Sequence, residues 1–154
     1  MDYGDSTRSV KAVGHQGIPG SPVAPVPVPA SAYHLSADES APLDTYGRAS
    51  NPTWRGLESG LAELEGATWA LAFGSGMGAI SAVLRVLAMP QATLVVPADG
   101  YYQVRRYATE YLAPRGVTVI EATAAQMCEA AGGADVVLAE TPVNPTLDVV
   151  DLHR

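Results

Sequence analysis

Lysine is almost missing from this sequence. Lys11 is the only one, among nine basic residues set against sixteen acidic ones, for a net charge of −7. Nowhere do Lys and Arg cluster, so nucleic acid and anionic membrane surfaces, which need such clusters, are not expected partners. Cysteine is as scarce: Cys128 stands alone, can close no internal disulfide and suits a reducing, cytoplasmic setting. It falls in Ala124-Ala125-Gln126-Met127-Cys128-Glu129, a predicted helix, where the expected role is that of a small buried apolar residue. His15, His34 and His153 are far apart and lack paired Cys or carboxylate spacing, so no metal set is expected. A G-x-S-x-G turn that could support a Ser-His-Asp triad is also lacking. The N-terminus, Met1-Asp2-Tyr3-Gly4-Asp5, is acidic and is not followed by the apolar segment of a signal peptide. One long uncharged stretch, Gly66 to Leu84, contains Gly66, Gly74, Ser75, Gly76 and Ser81 and stops at Arg85. A buried strand, a glycine turn and a helix explain it better than a membrane span.

What is present suits an α/β layer: 47% of residues are hydrophobic and 16% charged, in a chain long enough for one good core. Residues 1 to about 54 show little periodicity and read as an extended arm. Pro19, Pro22, Pro25, Pro27 and Pro29 disfavour both helix and central strand there, while Val23, Val26 and Val28 alternate with prolines and offer apolar contacts to another surface. Pro22-Val23-Ala24-Pro25 satisfies P-x-x-P but lacks an adjacent basic residue, which argues against a polyproline ligand. From Trp54 onward, helices are expected over Trp54–Glu65, capped by Thr53, and over Ala79–Leu87, Tyr101–Ala113 and Ala124–Ala131. Strands are expected over Thr68–Phe73, Ala92–Pro97, Val117–Glu121 and Asp135–Glu140. Apolar strands alternating with helices indicate a mainly parallel sheet covered on both faces.

Three segments fall at strand ends. Gly74-Ser75-Gly76-Met77-Gly78-Ala79 lies between an expected strand and a helix, where glycines expose backbone N–H groups and the helix N-terminus favours an anion. The run also fits G-x-G-x-x-A, with Asp99 twenty residues beyond Ala79, so an NAD(P)-binding Rossmann domain of an oxidoreductase is the alternative. Tyr101 follows Asp99-Gly100 at a strand-to-helix junction, where an aromatic can simply pack. Glu140-Thr141-Pro142-Val143-Asn144-Pro145 fixes a loop in which Asn144 either caps the backbone or faces a ligand. Earlier, Tyr46-Gly47-Arg48 fits a surface turn, or a phenol and guanidinium holding phosphate.

In order, Tyr46-Gly47-Arg48-Ala49-Ser50-Asn51-Pro52-Thr53, Gly74-Ser75-Gly76-Met77, Asp99-Gly100-Tyr101 and Glu140-Thr141-Pro142-Val143-Asn144-Pro145 resemble the N-terminal part of one family. This is the cystathionine γ-synthase/γ-lyase family, the Cys/Met-metabolism enzymes that use pyridoxal phosphate (PLP), and the resemblance runs from about Thr7 to Arg154. It implies an α/β fold, the large domain of a fold-type I PLP-dependent transferase, truncated here. Residues 1–54 would be an arm contacting a neighbouring subunit, and residues 55–154 the N-terminal half of the PLP-binding domain. The implied activity is elimination or replacement at Cβ or Cγ of a small amino-acid substrate, cystathionine or an activated homoserine. The implied assembly is a homo-oligomer, a dimer sharing active sites and usually a tetramer. By resemblance Gly76 and Met77 hold the PLP phosphate, joined by Tyr46 and Arg48 of the neighbouring subunit. Tyr101 stacks on the ring and assists proton movement, and Asn144 binds near the ring oxygen and the substrate carboxylate. Tyr102 and Gln103 replace the small residues usual after that tyrosine. The Schiff-base lysine, the aspartate for the pyridine nitrogen and the carboxylate-binding arginine are expected beyond Arg154, since Lys11 lies in the arm.

Overall fold

A computed structural model describes residues 4–11, 19–20, 22, 25–37 and 42–152. The chain divides into two compact units, Met1–Ala72 and Phe73–Arg154. Val23, His15 and His153 lie outside the described residues.

The first unit is not uniformly extended. Helix α1, Asp5–Lys11, packs against α2, Pro52–Leu64. Between them, residues 25–30 run without regular structure, as their prolines require. Asn51, not the expected Thr53, caps α2: its side chain accepts from Thr53 N at 2.8 Å, and Pro52 takes the first helical position. Proline suits that position because its missing N–H would have no intrahelical partner and its fixed φ is already helical. Few side chains are buried here. Leu57, Leu61 and Leu64 share one face of α2 as expected, but that face is exposed.

The expected strand Thr68–Phe73 is not formed. Trp69, Leu71 and Phe73 are exposed at alternate positions, as in a strand, but no neighbouring strand among the described residues pairs with this segment.

The second unit is built on a parallel sheet in the order β2-β1-β3, with β1 Thr93–Pro97, β2 Thr118–Ala122 and β3 Val136–Val137. Leu94 of β1 faces Val119 and Val136 in register. Because β1 is central, a continuous apolar run can be buried on both sides, and Leu94, Val95 and Val96 are fully buried. Leu94 and Val96 point to one face, where they meet Leu84 of α3 (Gly76–Leu87), Ala88 just past its end and Val104 of α4 (Tyr102–Tyr107). Val95 points to the other, packing with Ala122, Met127 of α5 (Met127–Ala131), Val143 and Val150. Helices therefore cover both faces, as the sequence predicts. Each buried Leu, Val or Met among them contributes about 1.5–3 kcal/mol by leaving water. Beyond α4 the helical path continues as a wide turn, Ala108–Leu112, and a tight one, Ala113–Arg115, holding Pro114. Cys128 lies in α5 as expected but is exposed, and its thiol donates to the Asp151 carbonyl at 3.4 Å. Among the described residues no helix is long and apolar enough to cross a membrane, and no metal-ligand cluster occurs.

Candidate active site

The N-terminus of α3 starts at Gly76, earlier than expected, so Gly76 and Met77 form its first turn. Ser75 caps the helix: its hydroxyl accepts from Gly78 N at 3.0 Å, and its carbonyl accepts from Ala79 N. The amides of Gly76 and Met77 donate to no described acceptor. Two free N–H groups at the positive end of a 12-residue helix form a donor set for an oxyanion.

The carboxyl ends of the parallel strands hold the next group. The chain leaves β1 through Asp99-Gly100-Tyr101 and β3 through Glu140 to Pro145, the position at which open α/β sheets bind ligands. The Glu140 carboxylate joins the two loops, with Oε2 accepting from Tyr101 N at 2.9 Å and Oε1 from Asn144 N at 3.3 Å. Gly100 makes this approach possible, since a Cβ there would lie 2.6 Å from Glu140 Oε2 and 2.8 Å from Pro97 Cγ. Asp99 turns inward: Oδ2 accepts from Ala124 N at 3.0 Å, while Oδ1 is buried with no hydrogen-bond partner among the described residues.

Met77 and Tyr101 line one open cleft of about 540 Å³ with Gln103, Arg106, Tyr107, Glu110 and Tyr111. Tyr101 is half exposed there. Tyr107 stacks on Tyr111 with centroids 5.0 Å apart, and its hydroxyl is buried without a partner. Burial, reinforced by Tyr111, pushes the Tyr107 phenol up, against the opposing Arg85 and Arg115. Arg106 is paired with Glu110 at 3.0 Å, so the departures Tyr102 and Gln103 lead into a wall of aromatic and paired charged groups.

Tyr46 and Arg48 belong to the first unit. They sit on a turn bound to the arm by an antiparallel bridge between Ala32 and Tyr46 and by Gly47 N donating to Ser31 O at 2.8 Å. A Cβ on Gly47 would lie 2.9 Å from the Ala30 carbonyl, so glycine lets the turn dock. The Arg48 guanidinium lies 5.1 Å from the Tyr46 ring centroid. The rest of the string holds the arm. Asn51 Nδ2 donates to Val28 O at 2.9 Å, and Thr53 Oγ1 accepts from Val28 N at 2.8 Å.

A sequence profile described as Cys/Met metabolism PLP-dependent enzyme matches residues 7–154. The chain belongs to this family. It is 40% identical over 157 residues to a candidate cystathionine gamma-lyase of Streptomyces coelicolor, a match covering 98% of this chain and 40% of that protein. It is 31% identical over 157 residues to a cystathionine gamma-synthase of Mycobacterium tuberculosis, covering 97% and 40%. Among solved structures, a cystathionine gamma synthase from Xanthomonas oryzae pv. oryzae in complex with aminoacrylate and cysteine matches with TM-score 0.82 and 31% identity, over 99% of this chain and 40% of that one. The chain thus spans about 40% of the length of these relatives. The fold is that of the fold-type I PLP enzymes, and PLP is the expected cofactor. The dinucleotide alternative is not supported, and the Asp99 side chain it would use turns inward to Ala124.

The residues present fit PLP: free amides at a helix N-terminus suit its phosphate, and an exposed phenol ring on the same cleft as Met77 suits its aromatic ring. Sequence reasoning missed Glu140 as a link between the loops, Gly47 and Gly100 as forced close approaches, and the hold of Asn51 and Thr53 on Val28. The only available signal was the glycine inside each of Tyr46-Gly47-Arg48 and Asp99-Gly100-Tyr101.

Proposed function

We propose that this chain supplies the phosphate-holding and ring-stacking part of a PLP-dependent enzyme acting on sulfur amino acids. The observation that carries the reading is the meeting of Met77 and Tyr101 on one cleft beside two unpaired α3 amides. When bound, PLP withdraws electrons from the substrate Cα so that a proton can leave and a group at Cβ or Cγ be eliminated or replaced. The backbone N–H groups of Gly76 and Met77 bind the phosphate oxygens. Tyr46 and Arg48 of a neighbouring copy add a phenol and a forked cation. The Tyr101 ring would pack on the cofactor's aromatic face and exclude water there, and its hydroxyl would move a proton at the substrate amine. Asn144 would offer its side-chain amide to the ring oxygen and the substrate carboxylate.

Residues 1–54 form the arm that contacts the neighbouring copy, and residues 55–154 the N-terminal half of the PLP-binding domain. The assembly is a dimer that shares active sites, paired into a tetramer in the cytoplasm. Relatives named as cystathionine lyases and synthases, and a Xanthomonas oryzae enzyme solved with cystathionine, support a cystathionine-handling reaction, with cystathionine or an activated homoserine as the proposed substrate. Lys11, the only lysine, is the last residue of α1 and belongs to the arm, outside the proposed PLP-binding domain, so these 154 residues alone should be inactive. The test is an assay of the purified chain with cystathionine and PLP. No turnover is expected, and PLP-dependent elimination would refute that part of the reading.

A further inference from the structure

We propose that Glu140 is the positioning residue of this site, a clamp that sets Tyr101 and Asn144 at a fixed separation; the role it serves rests on the PLP reading above. Both Glu140 oxygens are used, Oε2 by Tyr101 N and Oε1 by Asn144 N. The peptide unit between Gly100 and Tyr101 is pinned at both ends. Its N–H donates to Glu140, and its C=O accepts from Arg105 NH1 at 2.8 Å. Arg105 in turn lies 3.7 Å from Glu121 Oε2, at the end of β2. A pinned peptide plane fixes the backbone torsion on which the Tyr101 ring swings, and Tyr101 makes no side-chain cap of its own to α4. Gly100 completes the device, because any Cβ there would displace the carboxylate.

Glutamate alone meets this geometry. Glutamine has a single acceptor oxygen, and its NH₂ would confront one of the two N–H donors. Aspartate is one methylene shorter and cannot span both loops. Neither Tyr101 nor Asn144 is itself buried; the buried Val143 anchors the second loop to the core, and the clamp ties it to Tyr101.

The experiment is amide hydrogen exchange on the unmutated protein and on Glu140→Gln, each then titrated with PLP. In the unmutated protein both Tyr101 N–H and Asn144 N–H should be protected. Exchange of either at the free-peptide rate overturns the clamp, whether or not the variant folds. In Glu140→Gln at least one of the two should exchange about tenfold faster, as expected for losing a hydrogen bond to a charged group. The Val95 and Val96 amides should be unchanged. The visible circular dichroism that PLP acquires on binding should also fall, a change that loss of stability alone would not produce while the melting temperature holds. Retained protection of both amides in the variant overturns the proposal. Failure of PLP to bind the unmutated protein counts against the cofactor reading, and the exchange data still decide the clamp.

Discussion

The two units are held by different physics. Among the described residues, Ala62 is the one buried hydrophobic side chain of Met1–Ala72, whereas the second unit buries Leu84, Leu94, Val95, Val96, Val104, Leu112, Met127, Val143 and others around its sheet. The first unit relies on directed polar contacts instead. Asp44 receives both guanidinium nitrogens of Arg55, Ser50 Oγ donates to Asp44 at 2.9 Å, and Asn51 and Thr53 grip Val28. The proposed site residues are thus presented in two ways: Tyr46 and Arg48 on a hydrogen-bonded arm, Met77 and Tyr101 at the rim of an apolar core. Such an arm is set by a few bonds of about 1 kcal/mol each, so single polar changes should release it. The core yields only to lost volume or to overlap.

The largest effect should come from Leu94→Ala, which removes a fully buried side chain between α3 and α4. It should destabilise the second unit by about 2–5 kcal/mol in a denaturant melt. Exchange of amides in α2 should not change. Gly100→Ala comes next, at about 1–3 kcal/mol, because its Cβ overlaps Glu140 and Pro97. Its damage should centre on the loops after β1 and β3, visible as faster exchange at Tyr101 and Asn144. Asn51→Ala removes both a helix cap and an anchor of the arm, at about 0.5–2 kcal/mol. Faster exchange at the Val28 amide, with β1 unaffected, would sharpen the contrast; an equal response in β1 would break it.

The smallest effect is pH-dependent. Hydrogen bonds from Arg55 hold the Asp44 carboxyl below its usual range, outweighing partial desolvation. A carboxylate favoured by folding stabilises fully above its unfolded pKa, and that contribution is lost as pH falls through the lower folded value. The same pair raises Arg55, which stays charged throughout the neutral and acid range, so the titration of Asp44 sets the pH dependence. Melts of the first unit from neutral to acid pH should therefore weaken below the ordinary aspartate range, and Asp44→Asn should flatten that dependence.

Much of the second unit was legible because burial on two faces leaves a plain mark. Ala92–Pro97 reads as a continuous apolar run and forms β1 at Thr93–Pro97; Val117–Glu121 and Thr118–Ala122 differ by one residue. The ends were less clear. Thr53 and Asn51 are both good caps, and the choice falls to Asn51 because Pro52 can begin a helix. Thr68–Phe73 has strand composition, but pairing depends on a neighbour that local sequence does not encode. Cys128 looked apolar, yet the face of α5 that carries it is exposed. At the site, Gly76 and Met77 were marked by a glycine turn before a helix, and Tyr101 and Asn144 by their place after strands. Glu140 could not, because its two partners come from separate loops and the link exists only after folding.

The central claim is that the first turn of α3 holds the PLP phosphate, and it is tested most directly by following backbone amide resonances as PLP is added to the protein. The account predicts that the Gly76 and Met77 amides shift together and saturate, with smaller changes at Tyr101 and Asn144. Unmoved Gly76 and Met77 resonances at saturating PLP would contradict it.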